Sequence, residues 1–110
     1  MALAVTTREH GHWLVLALVG DADFHTKTQL GAALNQAHTA SRWLILDCGE
    51  LEFCDSSFIG ALVEAHQQTQ DRGGALVVAA AQPQLERLLT LTGLDQVITL
   101  YPSVDEIIGS

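Results

Sequence analysis

Apolar positions along the chain fall into two rhythms that replace each other in turn. Residues 3–9 (LAVTTRE) and 13–20 (WLVLALVG) are strand-like and flank His10-Gly11-His12, where Gly11 offers a permissive backbone, so the opening predicts a β-hairpin. The rhythm then becomes helical. Leu30, Ala33, Leu34 and Ala37 share one face, and Thr26 with Gln29 has capping-box spacing, which predicts a helix over about 26–38. WLILDC, residues 43–48, is almost wholly apolar, the pattern of a strand covered by helices on both faces. Ile59, Leu62, Val63 and His66 form the next helical stripe, on a helix that starts at Asp55-Ser56-Ser57 and ends at Asp71-Arg72-Gly73-Gly74. ALVVAAA, residues 75–81, reads as a second buried strand. Residues 82–93 then form a helix with Pro83 in its first turn and Gly93 as its stop. QVITLY, residues 96–101, is the last strand, and Ser103 with Glu106 opens a short closing helix whose apolar side is Val104, Ile107 and Ile108.

The order β-β-α-β-α-β-α-β-α defines an α/β fold. An opening hairpin is followed by alternating strands and helices, giving a mixed sheet, parallel in its later part, with helices packed against it. A length of 110 residues and a hydrophobic content of 48% fit one domain spanning residues 1–110, with no repeat or linker.

Charge narrows the partners. Thirteen Asp and Glu against five Lys and Arg leave a net charge of −8, so nucleic acid and anionic bilayers are repelled and protein partners are expected. The longest apolar runs, WLVLALV and ALVVAAA, fall well short of the roughly twenty residues of a membrane-spanning helix. With no signal-peptide pattern at the start, the expectation is a cytoplasmic protein without direct membrane insertion. Cys48 and Cys54 read as buried or half-buried thiols.

Few residues are arranged for chemistry. Neither GxGxxG nor GxxxxGK[ST] occurs, which removes the common nucleotide loops. His10, His12, His25, His38 and His66 have no zinc spacing, and no metal or cofactor is expected. Asp21 and Asp23 could offer oxygen ligands to magnesium or serve as turn residues. Ser56 and Ser57 lack the G-x-S-x-G elbow of a hydrolase, and His66 would lie about 15 Å further along the helix axis. Residues 53–58, FCDSSF, leave two readings open where a strand hands over to a helix. Asp55 or Ser56 is the N-cap, or a first-turn hydroxyl accepts a phosphate that the helix N-terminus tolerates.

The residues that carry chemistry also carry a resemblance. Gly20-Asp21-Ala22-Asp23 after the second strand, Asp55-Ser56-Ser57 after the third, and Leu89-x-x-Thr92-Gly93-Leu94 near the end resemble the STAS domains of bacterial anti-sigma-factor antagonists, along nearly the whole chain. The resemblance implies a non-enzymatic protein that binds an anti-sigma factor which is also an ATP-dependent serine kinase. It further implies that this kinase switches the antagonist off by phosphorylating Ser56 (alternatively Ser57), and that a metal-dependent serine phosphatase restores it. Asp23, Asp55, Ser57, Phe58 and Ile59 are the implied contact residues. Two positions depart from the family pattern: Asp21-Ala22 stands for Glu-Leu in G-E-L-D, and Phe58 stands where a glycine follows D-S-[ST]. Phe58, one residue before the Ile59 stripe, is expected to point partly outward, as an apolar anchor or as an obstacle to a kinase. Asp47, Glu50, Glu52 and Asp55 precede the serine, so a phosphate of about −1.5 to −2 charges would add to an acidic surface that a partner must desolvate. Two other functions remain open: a scaffold subunit beside the ATPase of a membrane lipid transporter, and a small-nucleotide sensor.

Overall fold

The structure is a computed structural model and describes residues 2–107. Its strands are β1 (Leu3–His10), β2 (Trp13–Ala22), β3 (Trp43–Cys54), β4 (Ala75–Ala79) and β5 (Leu100–Tyr101). Its helices are α1 (Lys27–Ala40), α2 (Ser56–Asp71) and α3 (Pro83–Thr92), with 3₁₀ turns at Leu94–Gln96 and Val104–Glu106. The sheet runs β1-β2-β3-β4-β5; β1 is antiparallel to β2 and every later pairing is parallel. The hairpin turns at Gly11, whose φ of 63° suits a residue without Cβ.

Side-chain alternation divides the sheet into two unequal faces. Leu16, Leu18, Leu44, Leu46, Leu76 and Val78 point toward the helices and form the main core with Leu30 and Leu34 of α1, Phe58 and Leu62 of α2, and Leu85 and Leu89 of α3. Val15, Ile45, Val77 and Ala79 point the other way, against Val104 and Ile107. The expectation that helices cover β3 on both faces is therefore corrected. Helices cover one face, and the short C-terminal segment covers the middle of the other.

The ends of elements depart from the sequence pattern in physically specific ways. β3 continues six residues past Cys48, because its register against β2 shifts between Ala17 and Val19 and again between Gly20 and Asp21. Each shift inserts an extra residue in β3 and reverses its alternation, so buried positions step from Leu46 and Cys48 to Leu51 and then Cys54. Gly93 ends α3 in the left-handed conformation, φ 78°, as its position suggested. The chain then tightens into a 3₁₀ turn, which leaves only Leu100 and Tyr101 of the expected last strand paired to β4. The closing helix is a single 3₁₀ turn in which the Ser103 side chain makes no cap bond, and Ile108 lies outside the described residues.

Candidate functional site

The two bulges bring the end of β3 alongside the end of β2. Asp21 pairs with Phe53 and Ala22 with Cys54, and the Asp55 amide donates to the Ala22 carbonyl at 3.3 Å. The β2–α1 loop and the start of α2 thus lie side by side.

Asp55 joins them through its side chain. It is the N-cap of α2 in an extended conformation, and its Oδ1 accepts the Ser57 amide at 2.8 Å. Its Oδ2 accepts the Phe24 amide, in the β2–α1 loop, at 3.3 Å. With the cap supplied by Asp55, Ser56 occupies the first helical position and is exposed, and its hydroxyl makes no hydrogen bond among the described residues. Ser57 is half-buried and lines a groove of about 530 Å³ between α1 and α2, with Lys27, Thr28, Gly31, Asn35 and Gly60.

Across from Asp55, a buried polar knot shapes the β2–α1 loop. Asp23 Oδ1 accepts the His25 amide at 2.9 Å and the Thr26 amide at 3.1 Å, while Thr26 Oγ1 accepts the Asp23 amide at 3.0 Å and donates to the Asp21 carbonyl at 2.8 Å. The Asp21/Asp23 pair is therefore used as turn chemistry. The capping box expected of Thr26 and Gln29 does not form, because the Thr26 hydroxyl is committed to the loop and Gln29 Nε2 reaches the Leu3 carbonyl at 2.6 Å.

Among the five implied contact residues, Asp55 and Ser57 are half-buried at the surface, whereas Asp23, Phe58 and Ile59 are buried. Asp23 is consumed by its own loop. The outward Phe58 is corrected: its side chain is 1% exposed, because the buried stripe of α2 is Phe58, Ile59, Leu62, Ala65 and Thr69, while Val63 is 45% exposed. The stripe is rotated from the expected one so that Phe58 leads it and Ile59 sits at its margin. The exposed aromatics at this end are instead Phe24, 61% exposed, and Phe53, 44% exposed, which the sequence analysis missed. Phe24 had a legible signal: it is the one large apolar residue in the polar segment DADFHTK.

The charge around the site is unevenly distributed. Glu50 and Glu52 are exposed, Asp47 meets Arg8 at 3.7 Å, and Lys27 holds its ammonium 4.3 Å from the Phe24 ring centre. Both cysteines are free and buried. Burial, and to a lesser degree the Asp55 carboxylate, pushes the Cys54 thiol up to about 11; burial likewise pushes Cys48 upward. Neutral thiols beside the serine are packing groups. No group of three or more metal-ligating side chains is found among the described residues.

A five-stranded mixed sheet with helices on one face is the architecture of a STAS domain, and the chain belongs to that family: the STAS domain profile matches residues 4–107. Two relatives carry more specific names. The chain is 26% identical over 103 residues to the anti-sigma F factor antagonist of Paenibacillus polymyxa, covering 92% of this chain and 88% of that one. It is 31% identical over 110 residues to a Mycobacterium tuberculosis protein provisionally named an anti-anti-sigma factor, covering 97% and 74%. Among solved structures, an anti-sigma factor antagonist from Mycobacterium paratuberculosis superposes with a TM-score of 0.87 at 25% identity, covering 96% of this chain and 90% of that one. The phosphorylated form of the Bacillus cell fate determinant SpoIIAA shares the fold, with a TM-score of 0.73 at 21% identity and coverage of 94% and 95%.

Proposed function

We propose that this protein is an anti-sigma factor antagonist, a binding module that engages an anti-sigma factor with serine kinase activity and is switched off by phosphorylation of Ser56. The observation that carries the reading is the division of labour at the start of α2: Asp55 supplies the cap, and the adjacent Ser56 hydroxyl is exposed and uncommitted. In the transfer, the Ser56 oxygen forms a bond to the γ-phosphorus of ATP as the bond to the β-phosphate oxygen breaks. ADP leaves, and the hydroxyl proton passes to a base of the kinase. The chain acts as substrate and ligand, not as catalyst, and a serine phosphatase reverses the step by hydrolysis. Ser57 is the poorer acceptor, since it is half-buried and faces the α1–α2 groove. Phe58, turned into the core, presents no obstacle to a kinase.

The docking surface is the exposed ground around Ser56: Asp55, Ser57, Phe24 and Phe53, with Glu50 and Glu52 on its acidic side. Aromatic side chains of this kind commonly supply much of an interface's affinity. No helix among the described residues is long and apolar enough to cross a membrane, in keeping with an encounter in the cytoplasm.

Incubation with the cognate kinase and ATP, followed by mass spectrometry, tests the assignment. Phosphate should be incorporated in Ser57→Ala and lost in Ser56→Ala; the reverse pattern would transfer the role to Ser57. Ser56→Asp should bind the kinase more weakly while melting within about 2 °C of the parent, because an exposed acid in the first turn suits the helix dipole.

A further inference from the structure

We propose that Lys27 is the receiving cation for a phosphate on Ser56, and that its move from the Phe24 ring to the phosphate links the modification to the aromatic part of the docking surface. The inference rests on the phosphorylation reading above and names how that site is read out.

Lys27 opens α1, where the positive end of the helix disfavours a cation and an acid would be the stabilising choice; the first turn of α1 contains no acid. Helix stability therefore gives no reason for a lysine here. Its ammonium instead sits over the Phe24 ring, 4.3 Å from the centre. A cation over an exposed ring is a weak contact, readily given up for a charged partner.

The frame around this pair holds it close to the serine. Asp55 binds the Phe24 amide with one oxygen and the Ser57 amide with the other, so the loop bearing the ring and the first turn of α2 are fastened through one carboxylate. Lys27 and Ser57 line the same groove between α1 and α2. Arg42 and Arg72 line a separate recess at the C-terminal ends of these helices, and Arg8 is paired with Asp47. Lys27 shares the groove with Ser57, the residue next to Ser56, and its flexible four-carbon stem lets the ammonium move without displacing the backbone.

A phosphate on Ser56 brings about −1.5 to −2 charges and three strong acceptor oxygens. Lys27 turns toward it and the Phe24 ring loses its cover. The docking surface then changes in two ways at once, gaining negative charge beside the acids and losing the ordered cation–aromatic pair that a partner would meet.

The test places phosphoserine at position 56 during translation, so that no kinase is needed. Phosphorus NMR should show the phosphate's second ionisation about half a pH unit lower in this chain than in the same chain carrying Lys27→Gln, as expected for an ammonium about 5 Å away in water. Lys27→Arg should keep the lowered value. Without any variant, the Phe24 ring and Lys27 ε-methylene resonances should move between the unmodified and phosphoserine-56 chains. Identical titrations with and without Lys27, or unmoved Phe24 and Lys27 resonances, would overturn the inference. Loss of kinase labelling at Ser56 would instead overturn the antagonist reading and leave these spectra unaffected.

Discussion

Replacing Phe58 with alanine separates a core role from a contact role more sharply than any other single change. The ring is 1% exposed and belongs to the main core with Leu62 and Ile59 of its own helix and Leu44 and Leu46 of β3. Truncating a ring in such a place removes its transfer free energy and leaves a cavity that neighbours only partly close, a combined loss of about 3 to 5 kcal/mol. A domain of this size has a total stability of roughly 5 to 15 kcal/mol, so the variant should lose about a fifth of it or more. With a urea slope of about 1.5 kcal/mol per molar, the midpoint should fall by about 2 to 3 M at unchanged slope. Phe58→Leu should lose far less, about 1 to 1.5 kcal/mol, because most of the volume remains. Phe58→Gly, which restores the residue usual in the family, should be worse than alanine by a further ~1 kcal/mol of helix propensity. The affinity of the folded fraction for its partner should stay the same. A stability loss below about 1 kcal/mol for Phe58→Ala, or a selective loss of affinity, would place the ring outside the core and refute the reasoning.

Two further changes probe the surroundings of the serine. Asp55→Ala should cost about 1 to 2 kcal/mol through the lost cap and should speed hydrogen exchange of the Phe24 amide, which Asp55 holds from another loop; Asp55→Asn should recover most of both. Alkaline pH tests the buried thiol, since the Cys54 value is raised from 9.0 to about 11 and the fold favours the neutral form. Its contribution to stability is full below pH ~9 and is lost as pH rises through about 11, so Cys54→Ala should flatten the stability profile in that window; iodoacetamide at pH 8 should label the cysteines only after unfolding.

What could be read in the sequence was whatever a single period or a single residue type decides. Gly11 marks the hairpin turn, Pro83 and Gly93 bracket α3, and the Asp55-Ser56 step starts α2 where the structure has it. The misplaced features arise where two signals compete. β3 looked as if it ended at Cys48 because its two bulges reverse the alternation, and a strand whose parity changes twice offers no period to recognise. Phe58 was turned outward because Leu62 belongs both to the stripe with Ile59, Val63 and His66 and to the one with Phe58, Ala65 and Thr69. Thr69, fully buried with its hydroxyl on the His66 carbonyl at 2.8 Å, conceals the second stripe behind a polar residue. Thr26 had capping-box spacing, but its hydroxyl bonds to Asp21 and Asp23 across the loop, contacts that the box spacing of Thr26 and Gln29 does not register.

These same bonds explain why a switch at Ser56 can act without refolding the protein. A modification disturbs a fold when the modified group holds something in place, and the Ser56 hydroxyl holds nothing among the described residues, because Asp55 caps α2. The loop opposite is set independently by Asp23 and Thr26, both buried, so its shape does not depend on the serine either. Asp55 bonds to both frames, and it does so through amides that a phosphate on Ser56 leaves intact. The added charge is thus confined to the surface, where the groups free to answer it are mobile side chains such as Lys27 and an incoming partner. A partner that must strip water from a dianion beside Asp55 meets a penalty of several kcal/mol, while the fold, whose helix dipole favours the charge, meets almost none. That difference between interface and fold makes a first-turn serine beside an aspartate cap suited to reversible control of binding.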